Sequence, residues 1–123
     1  MAKRLAYRAA ASRLPGITNV FLRVRGDVGL LNRARATALL YDVADTLGYR
    51  VLGRLSHAFK PQGVTAVLLL SESHVALHTW PEHHAAVIEL VTCKSFTARD
   101  RSRLLAVLKR RLPGASFRVI LNA

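Results

Sequence analysis

Between Tyr49 and Thr92 four short apolar or alternating runs follow one another with only brief breaks: Tyr49 to Phe59, Val64 to Leu70, His74 to Trp80 and Ala85 to Thr92. The breaks leave no room for the long crossover that a parallel pair needs, so the spacing predicts neighbouring strands of one largely antiparallel sheet. Pro61-Gln62-Gly63 supplies turn chemistry after the first run. Within that run Tyr49, Val51, Leu55, His57 and Phe59 share a face by the two-residue period.

The flanking segments complete the pattern. Ile17 to Arg25 alternates as a strand, Gly26-Asp27 breaks it, and Asp27 is the expected N-cap of a helix. Leu30, Leu31, Ala34, Ala38, Tyr41, Ala44 and Leu47 recur at helical spacing as its apolar face, and Gly48 stops it. Ser95 or Thr97 caps a second helix running to about Leu112, Pro113-Gly114 ends it, and Ser116 to Leu121 reads as a closing strand. Strand, helix, four strands, helix, strand is the order of an α+β two-layer sandwich, with two helices on one face of the sheet and the other face solvated or covered by something else.

With 123 residues, 51% of them hydrophobic and 21% charged, the chain fits a single domain over 17–123 behind a basic arm at 1–16. One cysteine, Cys93, excludes an intrachain disulfide framework, and no apolar run exceeds five residues, far short of a membrane-spanning helix. A soluble, cytoplasmic protein is expected. The acid-free first thirteen residues fit an organellar targeting peptide as well as a solvated arm, and they hold no hydrophobic stretch of the secretory kind. The net charge of +12 raises nucleic acid as a partner. Its basic residues, however, gather at Lys3, Arg4, Arg8 and Arg13 and again at Arg99, Arg101, Arg103, Lys109, Arg110 and Arg111, with no aromatic RNA-binding pattern between them, and they read as two solvated faces.

Chemistry concentrates between Ser71 and Cys93, where hydroxyls, imidazoles, carboxylates and a thiol fall in one stretch. A metal site from His74, His78, His83, His84 and Cys93 is disfavoured, because histidines four apart on a strand have α-carbons about 13 Å apart. No metal is expected. A hydrolase with Ser73 or Cys93 as nucleophile lacks the Gly-x-Ser-x-Gly elbow. Taken singly, Cys93 reads as a small buried hydrophobe, Phe59 as a core aromatic, and His83 and His84 as turn residues.

Taken together, Ser71-Glu72-Ser73-His74, His78-Thr79-Trp80-Pro81-Glu82 and Thr92-Cys93 resemble, residue for residue and without a gap, the short prokaryotic S-adenosylmethionine decarboxylases, which are pyruvoyl enzymes. His57-x-Phe59 and Pro61-x-Gly63 extend the resemblance upstream. It implies that Ser73 attacks the carbonyl of Glu72, that the chain cuts itself between 72 and 73, and that a pyruvoyl group is generated from Ser73. It implies an imidazole, His78, for processing, with Thr65 standing where the family often has a supporting serine. It further implies Cys93 as the proton donor in decarboxylation, Phe59 as the aromatic that stacks on adenine, and Glu82 as the acceptor for ribose hydroxyls. The family's short chains pair with sites at the interface, so the expected partners are a small-molecule substrate and a second copy in a homodimer, with no membrane.

The resemblance has two departures. The family's first strand carries a histidine and then an acid, where Ile17 to Arg25 has neither and Arg23 or Arg25 stands near the place of the acid; Lys94 replaces the small residue after the cysteine. A sulfonium substrate is stabilised by a carboxylate and repelled by an arginine. The joint presence of Phe59 and Glu82 nonetheless favours decarboxylation of S-adenosylmethionine for spermidine synthesis as the expected activity, with a pyruvoyl-dependent decarboxylase of ornithine or arginine as the alternative and a basic nucleic-acid-binding module on a degenerate enzyme fold behind both.

Overall fold

In the computed structural model, residues 16–122 are described. The predicted basic arm, apart from Gly16, lies outside them. The elements run β1 (Thr18–Arg25), α1 (Arg33–Leu47), β2 (Val51–Ala58), β3 (Val64–Leu70), β4 (Ser73–Trp80), a 3₁₀ turn (Pro81–His83), β5 (Ala85–Thr92), α2 (Ala98–Arg111) and β6 (Ser116–Asn122). The six strands form one sheet in the order β2-β3-β4-β5-β1-β6, with every pair antiparallel. Hence the element order and the two-layer α+β architecture are those expected.

Three local expectations are corrected. Asp27 does not cap α1; Asn32 does, with extended backbone and a side-chain oxygen accepting from Arg35 N at 2.8 Å. Val28 and Leu31 are buried in the linking loop, which keeps the chain irregular for another turn. The later start rotates the apolar stripe: Ala36, Leu39, Leu40, Val43 and Ala44 face the core, whereas Ala34, Ala38 and Tyr41 are exposed. In β2 a register shift between Val51 and Gly53 breaks the period, so Val51 pairs with core-facing Leu70 while Leu55 and His57 stand on the opposite face. Gly48, at φ +78, ends α1 as expected. Thr97 rather than Ser95 caps α2, in a capping box with Asp100.

Both helices pack on the sheet face that carries Val20, Leu22, Val24, Ala66, Leu68, Val75, Leu77, Ile88 and Leu90, and close it with Leu39, Leu40, Leu104 and Leu108. Burying each such side chain contributes roughly 1.5–3 kcal/mol. Across the outer face, register aligns one row as His57, Thr65, His78, Val87, Arg23 and Arg118, and the next as Leu55, Val67, Ala76, Glu89, Phe21 and Ile120. Among the described residues no helix is long and apolar enough to cross a membrane.

Candidate active site

Ser71 and Glu72 form the tight connection between β3 and β4, whose last pair is Leu70 with Ser73. Glu72 has φ +61, a left-handed conformation that costs a residue with a Cβ roughly 1–2 kcal/mol. The following Ser73 shares the helix-facing side of the sheet with Leu70, and its Oγ is buried with no hydrogen-bond partner among the described residues. Among the described residues nothing competes for that oxygen's lone pairs, and it lies directly after the strained residue. Cys93, half-buried just beyond the end of β5, donates from Sγ to Glu72 Oε2 at 3.5 Å. Glu72, Ser73 and Cys93 thus share one end of the sheet.

His78 lies on the outer face of the same strand, opposite Thr65. Thr65 Oγ1 and His78 Nδ1 are 3.0 Å apart, a contact either group can donate, and it orients the ring while leaving Nε2 with no partner among the described residues. A cavity of ≈ 340 Å³ opens beside them, lined by Phe59, Thr65, His78, Trp80 and Glu82 together with the Gln62–Gly63 turn and Thr79. Phe59 is 52% and Trp80 44% exposed, enough ring face for a planar group to cover. His57 packs edge-on against Phe59, and the His78 and Trp80 rings lie 6.2 Å apart. Gly63, at φ +99, brings the turn against the carbonyl of Thr79, where an added Cβ would come within 3.2 Å.

The structure therefore gathers the expected site residues into two groups and does not join them. Ser73 and His78 are five residues apart on β4, ~16 Å along the strand, and begin on opposite faces of the sheet. His83 and His84 are exposed around the 3₁₀ turn, and among the described residues no three His, Cys, Asp or Glu are placed to hold a metal. A larger open groove of ≈ 1020 Å³ between α1 and β2 contains none of the expected site residues. Trp80, in the motif but given no role by the sequence, joins the cavity wall. Tyr49 and Lys94 were also missed as supports: Tyr49 hydroxyl donates to Thr92 Oγ1 at 2.7 Å, and Lys94 Nζ sits 4.7 Å from the Tyr49 ring centroid. Burial, partly offset by the Thr92 hydrogen bond, pushes the Tyr49 phenol above its ordinary value.

The S-adenosylmethionine decarboxylase family model matches residues 27–120. The S-adenosylmethionine decarboxylase proenzyme of Persephonella marina is 47% identical over 66 residues, covering 50% of this chain and 50% of that protein. That of Prochlorococcus marinus is 43% identical over 60 residues, covering 49% of each. The chain thus spans about half the length of these curated relatives. The crystal structure of the adenosylmethionine decarboxylase from Aquifex aeolicus shares the fold, with a TM-score of 0.68 at 23% identity over 86% of this chain and 89% of that one. Since the family match takes in both groups of site residues and most of the sheet, the chain belongs to the S-adenosylmethionine decarboxylase family.

Proposed function

We propose that this chain is a proenzyme that cuts itself between Glu72 and Ser73, retains a pyruvoyl group at position 73, and decarboxylates S-adenosylmethionine for polyamine synthesis. The observation that carries the reading is the left-handed Glu72 beside the unpartnered, buried Ser73 hydroxyl. Attack of Ser73 Oγ on the Glu72 carbonyl carbon turns the peptide bond into an ester and frees the residue-73 amine. A base removes the α-proton of residue 73, Glu72 leaves as a carboxylate, and hydrolysis of the resulting dehydroalanine releases ammonia. Cutting frees Glu72 from its strained conformation, which favours the products.

A pyruvoyl group at position 73 would supply an electrophilic carbonyl for the substrate's α-amino group and a sink for the electrons left by departing carbon dioxide. Cys93, whose Sγ donates to Glu72 Oε2, is the proton donor to the substrate's α-carbon. In the cavity Phe59 stacks on adenine and Glu82 accepts from the ribose hydroxyls. His78, oriented by Thr65, is the processing base.

The ~16 Å between the two groups bears on partners. Stacking two copies through their outer faces, about a twofold that lies between the sheets and runs across the strands, exchanges strand ends. It sets the Glu72, Ser73 and Cys93 end of one copy against the Thr65, His78 and Glu82 end of the other. The exposed Leu69 and Ile120 and the half-buried Phe21, Val67 and Val87 on that face favour such a homodimer.

One observation bears on the charge the substrate meets. Arg23 is exposed on the outer face, paired with Val87, which in turn pairs with His78, so a cation rather than a carboxylate stands two strands from the imidazole. A cation there opposes a sulfonium and equally the side-chain cation of ornithine or arginine, so the choice among them falls to assay. Carbon dioxide release from S-adenosylmethionine, ornithine and arginine, measured side by side on the self-cut protein, decides: turnover of the first supports the sulfonium substrate, and turnover of only an amino acid replaces it.

A further inference from the structure

The three residues after α1 touch both parts of the Ser73 end. Gly48 and Tyr49 are themselves tied to the helix, through Gly48 N to Asp45 O at 3.1 Å and Tyr49 N to Ala44 O at 2.8 Å. Arg50 O accepts from Ser71 N at 3.0 Å, which holds the turn containing Glu72. Tyr49 hydroxyl donates to Thr92 Oγ1 at 2.7 Å, the same oxygen accepts from Lys94 N at 3.0 Å, and Lys94 Nζ reaches back over the Tyr49 ring to donate to Gly48 O at 3.0 Å. One connector therefore registers the cleavage turn and the thiol-bearing segment against each other.

The segment needs such a tie. The β1–β5 ladder ends at the Thr18–Thr92 pair, so sheet pairing does not extend to Cys93. Its thiol must reach one atom of the substrate, and a misplacement of about 1 Å can cost a hundredfold in rate.

We infer that Tyr49 and Lys94 are positioning residues, which clamp the segment on both sides of Cys93 to the end of α1 and so aim its thiol at the Glu72–Ser73 position. The inference rests on the decarboxylase reading for what the aimed thiol does, but the clamp itself belongs to the folded chain whether cut or uncut. Lys94, which departs from the family's small residue, acts by lying over the tyrosine ring and donating to Gly48 O at the C-terminal end of α1, where a cation is favoured.

Cys93 is the only cysteine, so iodoacetamide reports on it alone. In the uncut Ser73→Ala chain, adding Tyr49→Phe is expected to raise the alkylation rate at least about threefold, and Thr92→Ser, which keeps the Oγ, to leave it within about twofold. In self-cut enzyme, Tyr49→Phe is expected to lower kcat about tenfold or more with KM within about twofold and the rate of self-cleavage unchanged, because the Ser71–Arg50 backbone bond survives. Should Tyr49→Phe fail to fold, Lys94→Met at its exposed site makes the same comparison. Unchanged alkylation together with kcat within about twofold of wild type overturns the inference, as does an equal slowing of cleavage and decarboxylation, which marks a general loss of structure. A wild-type chain that never cuts itself defeats the decarboxylase reading instead, while the alkylation comparison still decides the clamp.

Discussion

Thr65 Oγ1 and His78 Nδ1 lie 3.0 Å apart across the β3–β4 pair, and that contact sits at the opposite end of β4 from Ser73. A hydrogen bond that orients an imidazole contributes of order 1 kcal/mol, and His78 is the base proposed for processing. Thr65→Val is therefore expected to slow self-cleavage about three- to tenfold, and Thr65→Ser to keep the rate near wild type, read from the appearance of fragments over time. Equal rates for the valine and wild-type chains would remove Thr65 from processing.

If each site draws its thiol from one copy and its cavity from the other, two inactive variants rescue each other. Co-expressed Cys93→Ala and Glu82→Ala chains would form mixed dimers with one wholly wild-type site, restoring up to about a quarter of wild-type activity when the chains mix at random. Sites built within single chains would give no recovery beyond the sum of the two variants.

Phe59→Ala removes a stacking contact of roughly 0.5–1.5 kcal/mol, so kcat/KM for S-adenosylmethionine is expected to fall by up to about tenfold. Self-cleavage should persist, because Phe59 lines the cavity without sharing the Thr65–His78 contact that orients the imidazole. An intact kcat/KM would show that no planar group stacks there.

Asp42 of α1 accepts from Arg110 at 2.8 Å and from Arg111 at 2.9 Å, both of α2. The Arg111 hydrogen bond, opposed by burial and reinforced by Arg110, holds the carboxyl below its ordinary value. A carboxyl depressed in the folded state contributes stability above its unfolded pKa, near 4, and loses it as pH falls through the folded value. Asp42→Asn should therefore cost up to about 1 kcal/mol at pH 7, with the difference shrinking below about pH 4 in denaturant titrations. A difference that stays constant down to pH 2 would contradict the charge-based account.

The antiparallel sheet was legible because short breaks between short strands admit little else, and Gly48 marked its helix end by chemistry that does not depend on tertiary context. The face of α1 was not. Leu30 and Leu31, in the loop before Asn32, look in sequence like the first turn of the helix and shift the apparent stripe. The bulge at Val51 and Gly53 leaves no periodic trace, since a glycine has no side chain to show which face it takes. In the site, every residue type was visible, but their division was not drawn: the strand rise that sets His74 apart from His78 also sets Ser73 apart from His78. The Tyr49, Thr92 and Lys94 contacts join residues about forty apart in sequence, and only folding brings them together.

Ser73 is proposed to become a pyruvoyl group as the chain cuts itself after Glu72. Intact-mass measurement of the purified protein after prolonged incubation tests it most directly. Two fragments are predicted, residues 1–72 and 73–123, the second lighter by one ammonia than a serine-started fragment and blocked to Edman degradation, with Ser73→Ala remaining whole. A single uncut wild-type chain, or a second fragment that begins with an ordinary serine, would contradict it.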